Sequence, residues 1–238
     1  MGIHLLNKIM SRALNLDGSV TVDDSEIINA FTDNPEFPYL VSFSRTGSHW
    51  LRMIMELYFE KPSLVRAFYL KDATDFTCYH THDMDLKLRR ENVLYLYRNP
   101  VETVYSQLCY YKENPDDQER RQHWTNLYAL HLSKWLVHDD FTKKKTIITY
   151  EGMKSNMADE FAKVCRHFNE ELDLWKLESV LEKVSKGELK KKTAHDQQVV
   201  NLSGEYQTGR TAFADRYSGQ IFSEMYSCDP DLKHWLHK

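Results

Sequence analysis

Cysteine is sparse here and poorly spaced for metal or disulfide chemistry. The 238 residues include four, Cys78, Cys109, Cys165 and Cys228. None forms a CxxC or a paired spacing, which argues against a zinc site and against a disulfide framework. They read as reduced, mostly buried thiols. Long apolar runs are also missing. Residues 1–16, MGIHLLNKIMSRALNL, carry an amphipathic helical pattern interrupted by Lys8 and Arg12, too short in its apolar part for a signal peptide or a membrane span. A cytoplasmic location is the expectation. Gly2 raises the question of myristoylation, but Leu6 stands where that signal needs Ser or Thr. Positive charge is not in surplus either: 31 Lys and Arg face 35 Asp and Glu, for a formal charge of −4. Global attraction to nucleic acid or to an anionic membrane is therefore not expected, and any polyanion must be gripped by a local basic cluster.

What is present is an alternation of strands and helices. Three short runs rich in β-branched and aromatic residues, PYLVSFS (38–44), NVLYLYR (92–98) and KTIITYE (145–151), read as buried parallel strands, and each is followed by a helical pattern. Leu51, Ile54, Met55 and Tyr58 mark the first helix, Pro100 opens the second, and Phe161, Val164, Cys165 and Phe168 mark another. Trp124, Tyr128, Leu132, Trp135 and Leu136 share one face of a long helix, a core stripe rather than a set of cofactor contacts. The expected fold is α/β, with a central mainly parallel β-sheet flanked by helices. Length favours one domain over 1–238, with an N-terminal helical segment over 1–36 and a charged, mobile loop over 183–218.

The first strand ends in SFSRTGSHWLR (42–52). A Ser/Thr/Gly turn running into a helix offers free backbone N–H groups and the positive end of the helix dipole to a phosphate or sulfate. The loop holds one glycine, Gly47, and no lysine, so it is not the GxxxxGK[ST] loop of ATP- or GTP-hydrolysing proteins. By itself it could also be a plain helix start capped by Ser48. The second strand shifts that balance, because YRNPVETVYSQL puts Arg98 at a strand end and Ser106 about two helical turns on, within reach of one phosphate. Two adjacent anion sites imply a ligand phosphorylated at two places.

In these segments the chain resembles the sulfotransferases that use 3′-phosphoadenosine 5′-phosphosulfate (PAPS), over roughly 38–168 and more weakly near the C-terminus. FSRTGSHW lines up with the family's YPKSGTTW, RNPVETVYSQL with RNPKDVAVSYY, and TYEGMKSNM with YYEDMKENP. The resemblance implies a P-loop-like sulfotransferase fold that binds PAPS as donor, releases adenosine 3′,5′-bisphosphate (PAP) and needs no metal. It implies that Arg45, Thr46, Gly47, Ser48 and His49 line the phosphosulfate, that Trp50 stacks on adenine with Tyr150 in contact, and that Arg98 and Ser106 hold the 3′-phosphate. The usual loop lysine is Arg45 here, which keeps the charge but is a poor proton donor. The family's C-terminal RKGxxGDWKxxF is eroded to TGRTAFADRY, leaving Gly209 and Arg210 as 3′-phosphate candidates, and Lys186 and Gly187 stand where an adenine-stacking Phe is expected.

Transfer of a sulfuryl group needs a base at the acceptor and positive charge at the leaving phosphate. The resemblance to a K-T-H stretch selects His82 in YHTHDMD, with His80, Asp83 and His49 as alternatives, and Arg45 as the second catalytic group. Asp72, Asp75, Asp83 and Asp85 surround that stretch; facing the cleft, they would favour a small polar, cationic acceptor over an anionic glycan. A non-catalytic PAP-binding protein of the same ancestry and a P-loop-like kinase are the competing readings. Neither a nucleic-acid nor a membrane partner is expected, and the sequence specifies no oligomeric state.

Overall fold

The computed structural model describes residues 13–14, 20–21, 25–64, 66–193 and 203–236. Four strands, β3 (Tyr39–Ser42), β5 (Tyr79–Thr81), β6 (Asn92–Tyr97) and β7 (Lys144–Thr149), form one sheet in the order β5-β3-β6-β7. Every neighbouring pair is parallel, as the three apolar runs predicted, and β5 adds the strand that the polar YHTHD stretch conceals.

The alternation of side chains along each strand builds two cores. Tyr39, Val41, Val93 and Tyr95 point to the face covered by helices α3 (Pro100–Tyr110), α4 (Gln118–Leu132) and α9 (Gly204–Cys228). Leu40, Leu94, Leu96 and Ile148 point to the other, covered by α2 (Ser48–Phe59), α6 (Met157–His167) and α7 (Leu174–Lys183). Both faces of a parallel sheet are thus buried, which is why its strands read as continuous apolar runs. Tyr128, Leu132, Trp135 and Leu136 of the predicted stripe are core residues, the last two on a π-helical turn, Ser133–Val137, that continues α4; Trp124 packs at the margin.

Two boundaries differ from expectation. Within 1–36 the described elements are a helix, α1 (Ser25–Thr32), and the short strands β1 (Ala13–Leu14) and β2 (Val20–Thr21), which are antiparallel to each other, with β2 also antiparallel to β4 (Arg66–Ala67). The rest of the amphipathic pattern in 1–16 lies outside the described residues. In 183–218 the expected loop is largely helical: α8 (Lys186–Lys192) starts on a Ser185 cap, and α9 starts on a Ser203 cap, each cap side chain accepting a backbone N–H three residues on. Those two serines are the local signals that the charged composition obscured. Residues 194–202 lie outside the described part. Helix α5 (Tyr150–Ser155) follows β7 directly.

Candidate active site

Each parallel strand delivers one singled-out residue at its carboxyl end: the 43–47 loop follows β3, His82 follows β5, Arg98 follows β6 and Tyr150 follows β7. In an open parallel sheet, that edge is where ligands bind.

The loop is built to leave amides free. Arg45 (φ 70°) and Gly47 (φ 96°) both take left-handed backbone, and Gly47 caps α2 with no side-chain hydrogen bond. The Ser48 and His49 N–H groups at the start of α2 are therefore available to an anion, while that of Trp50 donates to the Gly47 carbonyl at 3.0 Å. Thr46 is fully buried and its hydroxyl donates to the Phe43 carbonyl at 2.7 Å, so its side chain braces the turn from within. Ser48 is the first residue of the helix rather than its cap. Gln107 bonds to the Ser44 hydroxyl and ties the loop to α3.

Arg45, Arg98 and Ser106 meet in one network. Arg45 Nε donates to Ser106 Oγ at 3.2 Å, and Arg98 Nη1 donates to the Arg45 carbonyl at 3.2 Å. The Arg98 backbone is fixed at both ends by Tyr128, whose hydroxyl accepts from its N–H at 3.0 Å and donates to its C=O at 2.8 Å. Its guanidinium lies over the Tyr150 ring at 4.4 Å and pairs with Glu102, which Arg210 also approaches at 3.4 Å. Burial alone would raise the Glu102 carboxyl, but Arg98, then Arg210 and Lys154, outweigh it and hold the group below its ordinary range. A carboxylate held by two arginines marks an anion-attracting position. Trp50 and Tyr150 meet edge to face at 6.0 Å. Gly209 lies in α9 against Tyr105, where a Cβ would fall on the phenol oxygen; close packing of α9 on α3 explains that glycine.

The histidines differ sharply in what they have left to offer. His82 Nδ1 lies 2.7 Å from the Ser42 carbonyl. A carbonyl only accepts, so Nδ1 carries the proton and Nε2 keeps its lone pair. Burial pushes the His82 pKa down, with the Ser42 bond opposing, so the imidazole is neutral at pH 7. His80 is engaged on both sides, its Nδ1 taking Arg52 Nη1 at 3.4 Å and its Nε2 facing Ser42 Oγ at 3.2 Å. His49 packs edge to face on Phe68, its pKa pushed well down by burial and then by Arg52, Arg66 and Arg45. Asp83, also left-handed at φ 37°, is buried in a two-pronged pair with Arg90, both contacts 3.0 Å. That removes it as a base and as a cleft-facing anion. Asp75 pairs with Lys61 at the surface, and the Asp85 carboxylate accepts from the Lys87 N–H. The acidic acceptor side expected from the sequence is thereby corrected: two of its four carboxylates are neutralised by cations, and Arg45, Arg52 and Arg66 dominate the field at His49.

Sequence reasoning missed His131. It is fully buried in α4, donates from Nε2 to the His82 carbonyl at 2.9 Å, and takes the Tyr95 hydroxyl on Nδ1 at 2.9 Å. Burial drives its pKa down to about 3, so it is a fixed neutral donor that anchors the His82 peptide. Its signal was a polar residue on the apolar face, three positions after Tyr128. Arg52 and Glu56 were also missed: Arg52 supports His80, and the buried Glu56 carboxylate accepts the backbone N–H groups of Phe68, Tyr69 and Leu70.

A family model described as "Sulfotransferase domain" matches residues 77–208, more than half of the chain. The chain belongs to the sulfotransferase domain family. The matched stretch contains His82, Arg98, Ser106 and Tyr150; the 43–50 loop precedes it. Among solved structures, mouse sulfotransferase SULT7A1 complexed with PAP is similar at 17% identity and TM-score 0.58, over 94% of this chain and 98% of that one. Retinol dehydratase in complex with androsterone and inactive cofactor PAP is similar at 12% identity and TM-score 0.55, over 98% and 95% of the two chains. At these identities the likeness is one of fold. No curated protein sequence matches significantly. No described helix is long and apolar enough to cross a membrane, and no group of described residues has the makings of a metal site.

One consequence for this sulfotransferase concerns Gly47. A Cβ there would stand 2.5 Å from Tyr150 Cδ2, on a backbone that side chains rarely adopt. Gly47→Ala is expected to displace Tyr150 or the loop and to destabilise the protein by about 1 to 3 kcal/mol. Thermal denaturation measures it, and an unchanged midpoint would contradict the crowding.

Proposed function

We propose that the protein transfers the sulfuryl group of PAPS to a hydroxyl or amino group of a small polar acceptor, with His82 as general base. The observation that carries this reading is the His82 tautomer: Nδ1 is committed to the Ser42 carbonyl, and the bare Nε2 follows the strand next to the anion loop. In the reaction, Nε2 takes the acceptor proton as the acceptor atom attacks sulfur in line. The sulfur–oxygen bond to the 5′-phosphate breaks, and the bonding pair leaves with PAP. Arg45 and the amides at the start of α2 stabilise that leaving charge. Arg45 stays protonated, so proton donation to the leaving group has no part.

The donor assignment is supported by fit. The uncapped helix suits a phosphosulfate, Arg98 and Ser106 form a second anion position linked through Arg45, and Trp50 and Tyr150 supply aromatic surface for adenine. Arg210 contributes charge beside Arg98. Both similar structures carry PAP by description. The kinase alternative lacks its loop lysine, and the non-catalytic alternative does not explain a base held in its reactive tautomer.

The field around the base bears on the acceptor. At His82 the charges of Arg52 and Asp83 act in opposite senses, Asp83 is already paired with Arg90, and Arg52, Arg66 and Arg45 act on His49, so neutral or anionic acceptors are favoured over cationic ones. Sulfur-labelled PAPS offered with matched cationic, neutral and anionic alcohols and amines should give the lowest kcat/KM for the cationic member. A clear preference for the cation would overturn the acceptor reading, and no transfer to any member, with PAP still bound, would leave the binding-protein alternative.

A further inference from the structure

The opposite end of β7 carries a second concentration of positive charge. A shallow cavity of about 330 Å³ opens there between the first half of β7 and the last turn of α6, lined by Lys144, Lys145, Thr146, Lys163, Arg166 and His167 among others. Lys144 is six residues from Tyr150, roughly 20 Å along an extended chain, so the cavity lies at the other edge of the sheet from the proposed PAPS site.

Two of its cations are already matched: Lys145 pairs with Asp139 at 3.4 Å and Lys163 with Glu160 at 2.7 Å. Lys144 and Arg166 enter no ion pair among the described residues. Lys and Arg at a helix C-terminus can simply complement its dipole, which would account for Arg166. It does not account for His167. That side chain is 97% buried, since the residue keeps 3% of its accessible surface. Its Nδ1 meets Thr146 Oγ1 at 2.9 Å while Nε2 has no partner. An unsatisfied buried ring nitrogen is costly, and the residue that carries it is part of the wall of a cavity with two uncompensated positive charges. Burial, then Lys144, lowers its pKa to about 4, so His167 is neutral and can donate one N–H without adding charge.

We propose that this cavity is a second anion site, which takes the phosphate or sulfate group of a small ester. Lys144 and Arg166 supply two charges for a dianion, and His167, as the Nε2–H tautomer with Nδ1 accepting from Thr146, supplies the missing hydrogen bond. The volume is at the lower end for ligand pockets and exceeds the need of a bare oxyanion, which points to a small organic ester. A free metabolite and a lipid headgroup share this chemistry.

The test uses the full chain saturated with PAP, so that the donor site is filled. Inorganic phosphate, phenyl phosphate and phosphatidylcholine vesicles with or without phosphatidic acid are titrated against it. His167 ring resonances are followed by NMR for the soluble probes, and co-sedimentation is used for the vesicles. The expected result is saturable binding of phenyl phosphate or of the acidic vesicles, weaker binding of inorganic phosphate, and a perturbed His167 ring. Lys144→Ala with Arg166→Ala should weaken binding at least tenfold and leave PAP affinity unchanged; His167→Gln, which keeps a donor, should lose less. Binding by phenyl phosphate alone assigns a soluble ligand, and binding by acidic vesicles alone assigns a headgroup. Absence of binding in every arm, or binding indifferent to the double substitution, overturns the proposal whether or not the protein transfers sulfate.

Discussion

His82→Ala is expected to reduce turnover of PAPS by about 10² to 10⁴-fold, the usual worth of a positioned base, while PAP affinity changes less than about threefold. The separation follows from geometry, since His82 hangs from β5 and neither of its hydrogen bonds involves the loop amides, Arg98 or Ser106. The substitution should also remove the acid limb of the pH–rate profile. In the unmodified protein that limb is expected to report His82 gaining a proton, and burial places it below the ordinary histidine value of about 6.5. The rate should then be full at neutral pH and fall as pH drops through the lowered pKa. His80→Ala should act more mildly, because both of its nitrogens are occupied. Parallel measurements of kcat and PAP affinity for the two variants decide the matter. A His82→Ala protein that keeps its turnover while His80→Ala loses it would transfer the role.

Arg98→Ala is expected to weaken PAP by about 10 to 100-fold, the loss of one charged hydrogen-bonding partner worth about 1.5 to 3 kcal/mol. Adenosine 5′-phosphate, which lacks the 3′-phosphate, should lose less than about threefold. Glu102 keeps Arg210 after the substitution, so the fold is not left with a buried orphan charge. Arg98→Lys retains charge without the fork and should recover only part of the affinity. Comparative calorimetry with the two nucleotides measures this, and equal losses for both would mean that Arg98 does not read the 3′-phosphate.

The central architecture was legible because burial writes itself into sequence. The runs at 39–42 and 92–97 are almost wholly apolar because both faces of a parallel sheet are covered there, whereas in 144–149 the apolar signal is confined to Ile147 and Ile148, of which Ile148 is fully buried. Helix α2 matches its apolar spacing from Ser48 to Phe59. The short β5 was concealed because its three residues are only partly buried. In 183–218 a surplus of charge masked helices whose starts depend on single serine caps.

For the site, the legible parts were those with local grammar: a glycine turn before a helix, and an arginine and a serine eight positions apart around Pro100. Contacts that depend on tertiary approach were not legible. Nothing near Asp83 in sequence announces that Arg90 folds back to neutralise it, so the expected acidic acceptor side failed on a contact seven residues away. The link from His131 to the His82 carbonyl spans 49 residues and passes between elements. Likewise, Tyr128 was correctly read as core, yet its hydroxyl also fixes the Arg98 backbone.

The central claim is most directly tested by stoichiometry at the donor. Purified protein is incubated with PAPS and a neutral or anionic acceptor, and PAP and sulfated acceptor are quantified together over time by mass spectrometry. The account predicts equimolar appearance of the two products, dependent on acceptor. PAP release without a sulfated product, or firm binding of PAPS with neither product formed across the acceptor panel, would contradict it.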